Sequence, residues 1–170
     1  DLFWERPTDR IALSDVADRA GVTVQTVIRR FGTKDGLMAA AVERAVATTN
    51  DERRVPVDDP DKAIDVLLDH YEHLGRPALR LLAAEESSPQ LTAYADVGRR
   101  QHRAWCADAF PSALAGLSEP TRTRRLAQIA AVCDVYTWKL LHLDAGLGRA
   151  ETHRAILELL EPLLVIPGDH

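Results

Sequence analysis

The chain is poor in aromatic residues, has one methionine and two cysteines, and carries no long apolar run. Each scarcity narrows what it can be. Aromatics make up 5% of its 170 residues. With little alternation of β-branched residues, that argues against sheets and for an all-α chain. Cys106 and Cys133 lie far apart with no motif around either. They read as reduced, buried, small apolar residues of a cytoplasmic protein, not as a disulfide framework. No stretch approaches the ~20 apolar residues that span a bilayer, and no signal peptide is read at the start, so no membrane role is expected. Catalytic signatures are also missing: no glycine-rich phosphate loop, no G-x-S-x-G, no H-E-x-x-H, no C-x-x-C. Glu85 and Glu86 are adjacent, and neighbours on a helix point about 100° apart, too divergent to share one substrate. No enzyme and no cofactor are read in the chain.

What is present is a normal globular balance, 46% hydrophobic and 28% charged. The net charge of −5 is unevenly placed. Residues 1–48 hold seven Lys/Arg and seven Asp/Glu, while the remainder holds fourteen and nineteen. A neutral segment can still meet nucleic acid if its cations gather on one face; the acidic remainder is a poor surface for it.

The rest of the chain is organised around Ser14–Lys34, SDVADRAGVTVQTVIRRFGTK. It reads as helix, turn, helix. At 100° per residue, Val24, Val27, Ile28 and Phe31 fall on one arc of the second helix, and Gln25, Thr26, Arg29 and Arg30 on the other. Thr23 stands where an N-cap is wanted, and Gly21 can take the left-handed conformation that ends the preceding helix. A short helix presenting Gln, Thr and two Arg has the chemistry of a major-groove reader. Arg binds guanine bidentately, Gln reads adenine, and Thr meets a thymine methyl or a phosphate. The segment is therefore a helix-turn-helix with Thr23–Phe31 as its recognition helix.

Asp15-Val16-Ala17, Ala20-Gly21-Val22-Thr23, Arg29-Arg30-Phe31 and Lys34-Asp35-Gly36-Leu37 together resemble the DNA-binding domain of the TetR family of bacterial transcriptional regulators. Three places depart from that pattern. Ile28 stands where the family has a Tyr that touches backbone phosphate. Pro7 and Thr8 replace a Gly and an aromatic at the end of the first helix, and Ala12 replaces the Thr or Ser that caps the second. The missing cap should leave that end less firmly held. The resemblance implies a ligand-responsive regulator, a repressor of genes behind an inverted-repeat operator in double-stranded DNA. Thr23, Val24, Gln25, Thr26, Arg29, Arg30 and Lys34 are the expected DNA contacts. Lys34 opens the next helix, where the dipole favours a phosphate. The resemblance also implies that the natural chain begins some residues before Asp1, with residues 1–6 as the end of a helix whose Leu2 and Phe3 pack beneath the helix-turn-helix.

Two domains are expected, a helix-turn-helix domain over 1–48 and a ligand-binding and dimerisation bundle over 49–170. Helix 4 is read over Thr33–Ala47, and the polar, proline-bearing Asn50–Asp61 as the boundary. Beyond it come a helix from Asp61 to about Leu74, a break at Gly75-Arg76-Pro77, helices over Ala78–Glu86 and Leu91–Phe110, one long helix over 121–143, and a last over Arg149–Leu164. Ile129, Val132, Val135, Tyr136 and Leu140, with Ile156, Leu159, Leu160 and Leu163, recur at helical spacing. They are read as a four-helix homodimer interface. An effector pocket is expected in the bundle, with Tyr71, Tyr94, His102, Trp105, Phe110 and Trp138 as candidates for lining it and a small, largely apolar molecule as its occupant. His70 and His73 are three apart beside Asp69 and Glu72, but no third ligand follows in a recognisable motif, so no metal is expected. The alternative is a helical interaction module without DNA binding, which leaves the face of Gln25, Thr26, Arg29 and Arg30 unexplained.

Overall fold

The computed structural model describes residues 2–5 and 10–165, without the side chains of Phe3 and Trp4. Pro7 and Thr8 lie outside the described residues, as does the packing expected of Phe3. Among the described residues helix is the only regular structure, and the chain is all-α. It divides into two compact units, Asp1–Thr49 and Asn50–His170.

The first unit holds α1 (Leu2–Glu5), α2 (Leu13–Ala20), α3 (Val24–Phe31) and most of α4 (Lys34–Glu52). Leu2, Ile11, Ala17, Val27 and Met38 are buried there. Arg19 of α2 forms two hydrogen bonds to Glu5 of α1, at 3.0 and 2.8 Å. Helix α4 begins with Thr33 Oγ1 accepting the Gly36 amide at 3.1 Å. It continues five residues past the expected end at Ala47, through a polar stretch that its composition marked as a boundary.

The second unit is a bundle of α5 (Pro60–Ala84), α6 (Pro89–Ala109), α7 (Glu119–Val132), α8 (Val135–Trp138) and α9 (Arg149–Leu164). Ile64, Leu67, Leu68 and Tyr71 of α5, Cys106 and Phe110 at the end of α6, Ile129 of α7, and Ile156 and Leu160 of α9 meet in one core. Two expectations are corrected. The break at Gly75-Arg76-Pro77 does not occur, and α5 runs unbroken through Pro77. Proline in a helix interior forfeits one hydrogen bond and strains a turn. Here the burial of α5 outweighs that cost. Gly75 is buried against the ring of Trp138, where a Cβ would sit 2.5 Å from Cζ3.

The single helix over 121–143 is instead three segments. Asp134 is extended (φ −78°, ψ 154°) and its carboxylate accepts the Tyr136 amide at 2.9 Å, capping α8. Thr137 Oγ1 donates to the Ala131 carbonyl at 2.6 Å across the break. Beyond α8, Lys139–Asp144 is a π-helical turn. A capping aspartate offers the backbone an alternative to continuing the helix, and here it prevails.

Candidate nucleic-acid interface

The helix-turn-helix is built from short-range rules. Ala12 has no side-chain acceptor for the start of α2, and the compensation runs the other way: the Ala12 amide donates to Asp15 Oδ2 at 2.8 Å. Half of a capping box therefore remains. At the other end Gly21 takes φ 65°, ψ 32°, and its amide and that of Val22 return to carbonyls of the last turn of α2. Thr23 caps α3, its Oγ1 accepting the Thr26 amide at 3.2 Å and lying 3.0 Å from Thr26 Oγ1.

Helix α3 buries less than its apolar arc promised. Val27 is buried and Phe31 half-buried, but Val24 and Ile28 are 38% and 40% exposed, beside Val22 at 42%. An eight-residue helix packs along one line, and α3 spends that line on Val27 and Phe31. Gln25, Arg29 and Arg30 are exposed, and Thr26 is half-buried by its bond to Thr23. The Arg30 guanidinium lies 5.6 Å from the centroid of Phe31. Lys34, half-buried, opens α4. Arg29, Arg30 and Lys34 make no ion pair with any described residue.

Residues 1–41 match the model of a known family, bacterial regulatory proteins of the tetR family. That match supports membership of the TetR family for the N-terminal segment. The matched residues are the first 41 of 170 and include α1, α2, α3 and the start of α4. Members of this family are DNA-binding transcriptional regulators, not enzymes. No curated protein and no solved structure matches the chain. None of its helices, among the described residues, is long and apolar enough to cross a membrane.

Of the residues expected to line an effector pocket, three are buried in the core of the second unit and three are half-buried. Phe110, Trp138 and Tyr71 are core: Tyr71 donates its hydroxyl to the Cys133 carbonyl at 2.8 Å, and its ring centre lies 5.8 Å from that of Trp138. His102 and Trp105 are half-buried, with ring centres 6.2 Å apart. Trp105 Nε1 donates to the Arg53 carbonyl at 2.7 Å. Tyr94 is half-buried nearer the start of α6. Cys106 and Cys133, remote in sequence, come together. Hydrogen bonding by the Cys133 thiol, opposed by burial and aided by His102, pulls the Cys106 thiol below its usual value and leaves Cys133 raised.

Sequence reasoning missed Arg53, which is 5% exposed while its neighbour Arg54 is open to solvent. A tandem arginine in a polar stretch reads as solvated, and no local signal distinguishes the pair. His73 Nδ1 sits 2.7 Å from the Asp69 carbonyl on its own helix. Burial, with Arg53 and His102 nearby, lowers the His70 pKa to about 4. Among the described residues no three His, Cys, Asp or Glu side chains gather as metal ligands. A surface groove between α5 and α9 is lined by Asp61, Asp65, Arg149 and His153; Arg149 pairs with Asp69 at 2.7 Å and Glu72 at 2.9 Å, and His153 Nε2 lies 3.4 Å from Asp61 Oδ1.

Proposed function

We propose that the chain is a homodimeric transcriptional repressor whose hold on an inverted-repeat operator is released by a small effector bound in the second unit. The observation that carries the DNA half is the exposed face of α3, where Gln25 stands with Arg29 and Arg30, which have no ion-pair partner among the described residues, beside Val24 and Thr26. In a major groove the two arginines reach guanine edges, Gln25 reaches adenine, and the exposed Val24 meets thymine methyls. Lys34 and the start of α4 take a phosphate, which sets register without reading sequence. The exposed position of Ile28 suits a second apolar contact where the family places its tyrosine.

Support for a dimer comes from the last helices. Of the two apolar stripes read from the sequence, Ile129, Val135, Ile156 and Leu160 are buried in the chain's own core. That part of the expected interface is corrected, because the core claims the inward side of α7, α8 and α9 first. Tyr136, Leu140 and Leu159 are 50%, 60% and 51% exposed, and these large apolar groups are what a second copy would cover. Two recognition helices then meet successive major grooves when they lie about 34–36 Å apart. An effector that favours another spacing weakens DNA binding, and DNA weakens effector binding by the same factor.

A gel-shift with full-length protein and the DNA upstream of its own gene tests this reading. Retardation of an inverted repeat, abolished by high salt, is the expected result. Failure to retard any such fragment at low salt favours the helical interaction module, for which exposed Val22, Val24 and Ile28 would serve as a protein-docking strip.

A further inference from the structure

Arg53 is a buried cation that neither the core nor the α3 surface employs. Its Nε has no hydrogen-bond partner, and among the described residues no carboxylate lies within ion-pair distance of it. One face of the guanidinium is covered by Trp105, 4.1 Å from the ring centroid. A guanidinium stacked on an aromatic face keeps its hydrogen-bonding edge free in its own plane. That edge meets little. Nη2 approaches His102 Nδ1 at 3.4 Å, and His102 Nε2 is 3.0 Å from the Ala130 carbonyl. The buried Nδ1 of His70, close enough to be affected by Arg53, is likewise unpartnered.

The other titratable groups around Arg53 do not supply a carboxylate. Tyr71 spends its hydroxyl on the Cys133 carbonyl, and burial holds its proton firmly. Asp134, whose charge reaches Tyr71 and Cys133, spends its carboxylate on the amide that starts α8. Cys106, its thiol pKa lowered by Cys133 and His102 ahead of Arg53, packs its sulfur 3.8 Å from His102 Nε2 and makes no hydrogen bond to Arg53 among the described residues. A guanidinium stays protonated when buried, so an unmatched one is a standing cost unless an anion completes it.

Resting on the reading of the second unit as the effector-responsive part, we infer that the Nε edge of Arg53, stacked on Trp105 and beside His102, receives the carboxylate of a small amphipathic acid. A single buried guanidinium offers one fixed positive charge, which matches a single negative charge and not a phosphate dianion. The neighbouring aromatic surface of Trp105, which meets Phe110 edge-on at 6.3 Å, suits an apolar body attached to that acid. His70, His102 and Trp105 all keep partial exposure, so the cluster is not sealed from solvent. The largely apolar effector expected from the sequence thereby gains one required acidic group.

The test uses hexanoate, decanoate and 4-phenylbutyrate, each beside its neutral primary amide, on full-length protein at fixed ionic strength. Calorimetric titration should show at least one acid binding about tenfold or more tightly than its amide, the margin of a charge-assisted contact. Arg53→Met should bring acid and amide within about twofold. In the unsubstituted protein the Arg53 Nε–H NMR resonance should move with the acid and stay in place with the amide, a readout that survives even if Arg53→Met misfolds. Acids and amides that behave alike, or an acid preference that persists in Arg53→Met, would overturn the assignment. If the acid binds through Arg53 yet leaves the gel-shift unchanged, the carboxylate site stands and the regulatory reading fails. If acid and amide release DNA equally, the regulatory reading stands and the carboxylate site falls.

Discussion

Four arginines show how much surroundings decide. Among the described residues Arg149 is held by Asp69 and Glu72, Arg53 is buried with no acid in ion-pair range, and Arg29 and Arg30 are exposed without one. The last two contribute little to folding, so Arg29→Ala and Arg30→Ala should each change stability by less than about 0.5 kcal/mol in chemical denaturation. Val27→Ala removes a buried contact beneath the same helix and should cost about 1–3 kcal/mol. Phe31→Ala should fall below the ~3–5 kcal/mol of a wholly buried phenylalanine, because its ring is only half-buried. The residue pattern thus showed which side of α3 is polar, but not how narrow its buried line is. Arg53 was illegible for a related reason: burial of one arginine in a tandem is decided by helices that arrive much later in the chain.

His70 carries a pH dependence. Its folded pKa is about 4, lowered by burial and by Arg53 and His102, while the unfolded side chain titrates near 6.5. The unfolded state therefore binds more protons as pH falls between those values. Stability is intact above about pH 6.5 and is lost progressively toward pH 4, by about 2–3 kcal/mol in total. Denaturation of the wild type and His70→Gln at pH 7 and pH 4.5 checks this. The variant should lose distinctly less on acidification, and equal losses would show that other groups govern the acid limb.

At the scale of elements, period and composition gave the helices but misjudged their interruptions. Pro77 pointed to an end that α5 ignores, since packing over 25 residues outweighs one lost bond. Asp134 gave little warning within an otherwise helical run, yet it stops α7 and caps α8. The second outcome goes with the local cap that Asp134 gives the Tyr136 amide, and the first with the burial of α5, where Gly75 is seated against the ring of Trp138. Gly75→Ala places a methyl into that ring. The expected cost is about 1–3 kcal/mol by overpacking, against the small gain alanine normally brings to a helix. A thermal melt of the variant above that of the wild type would contradict the contact. The helix-turn-helix was the most legible element because its signals are local: a glycine turn, a threonine cap and an Asp15 that reaches back to the Ala12 amide.

For the whole molecule, the proposal needs two copies. Leu140→Glu combined with Leu159→Glu places charges on the exposed apolar patch of the last helices and should convert dimer to monomer in sedimentation velocity, with helical content unchanged. A dimer that survives both substitutions would move the interface elsewhere. The sequence located the two stripes but could not apportion them between core and partner, because both demand the same apolar periodicity.

The central claim is that α3 reads base sequence through Arg29 and Arg30. Its most direct test is fluorescence anisotropy of full-length protein, wild type and each Arg→Ala variant, on the operator duplex and on a scrambled duplex of equal length at one salt concentration. The account predicts that the wild type prefers the operator and that each substitution costs about 1–3 kcal/mol there while changing scrambled binding far less. Equal wild-type affinity for the two duplexes, or operator binding untouched by both substitutions, would contradict it.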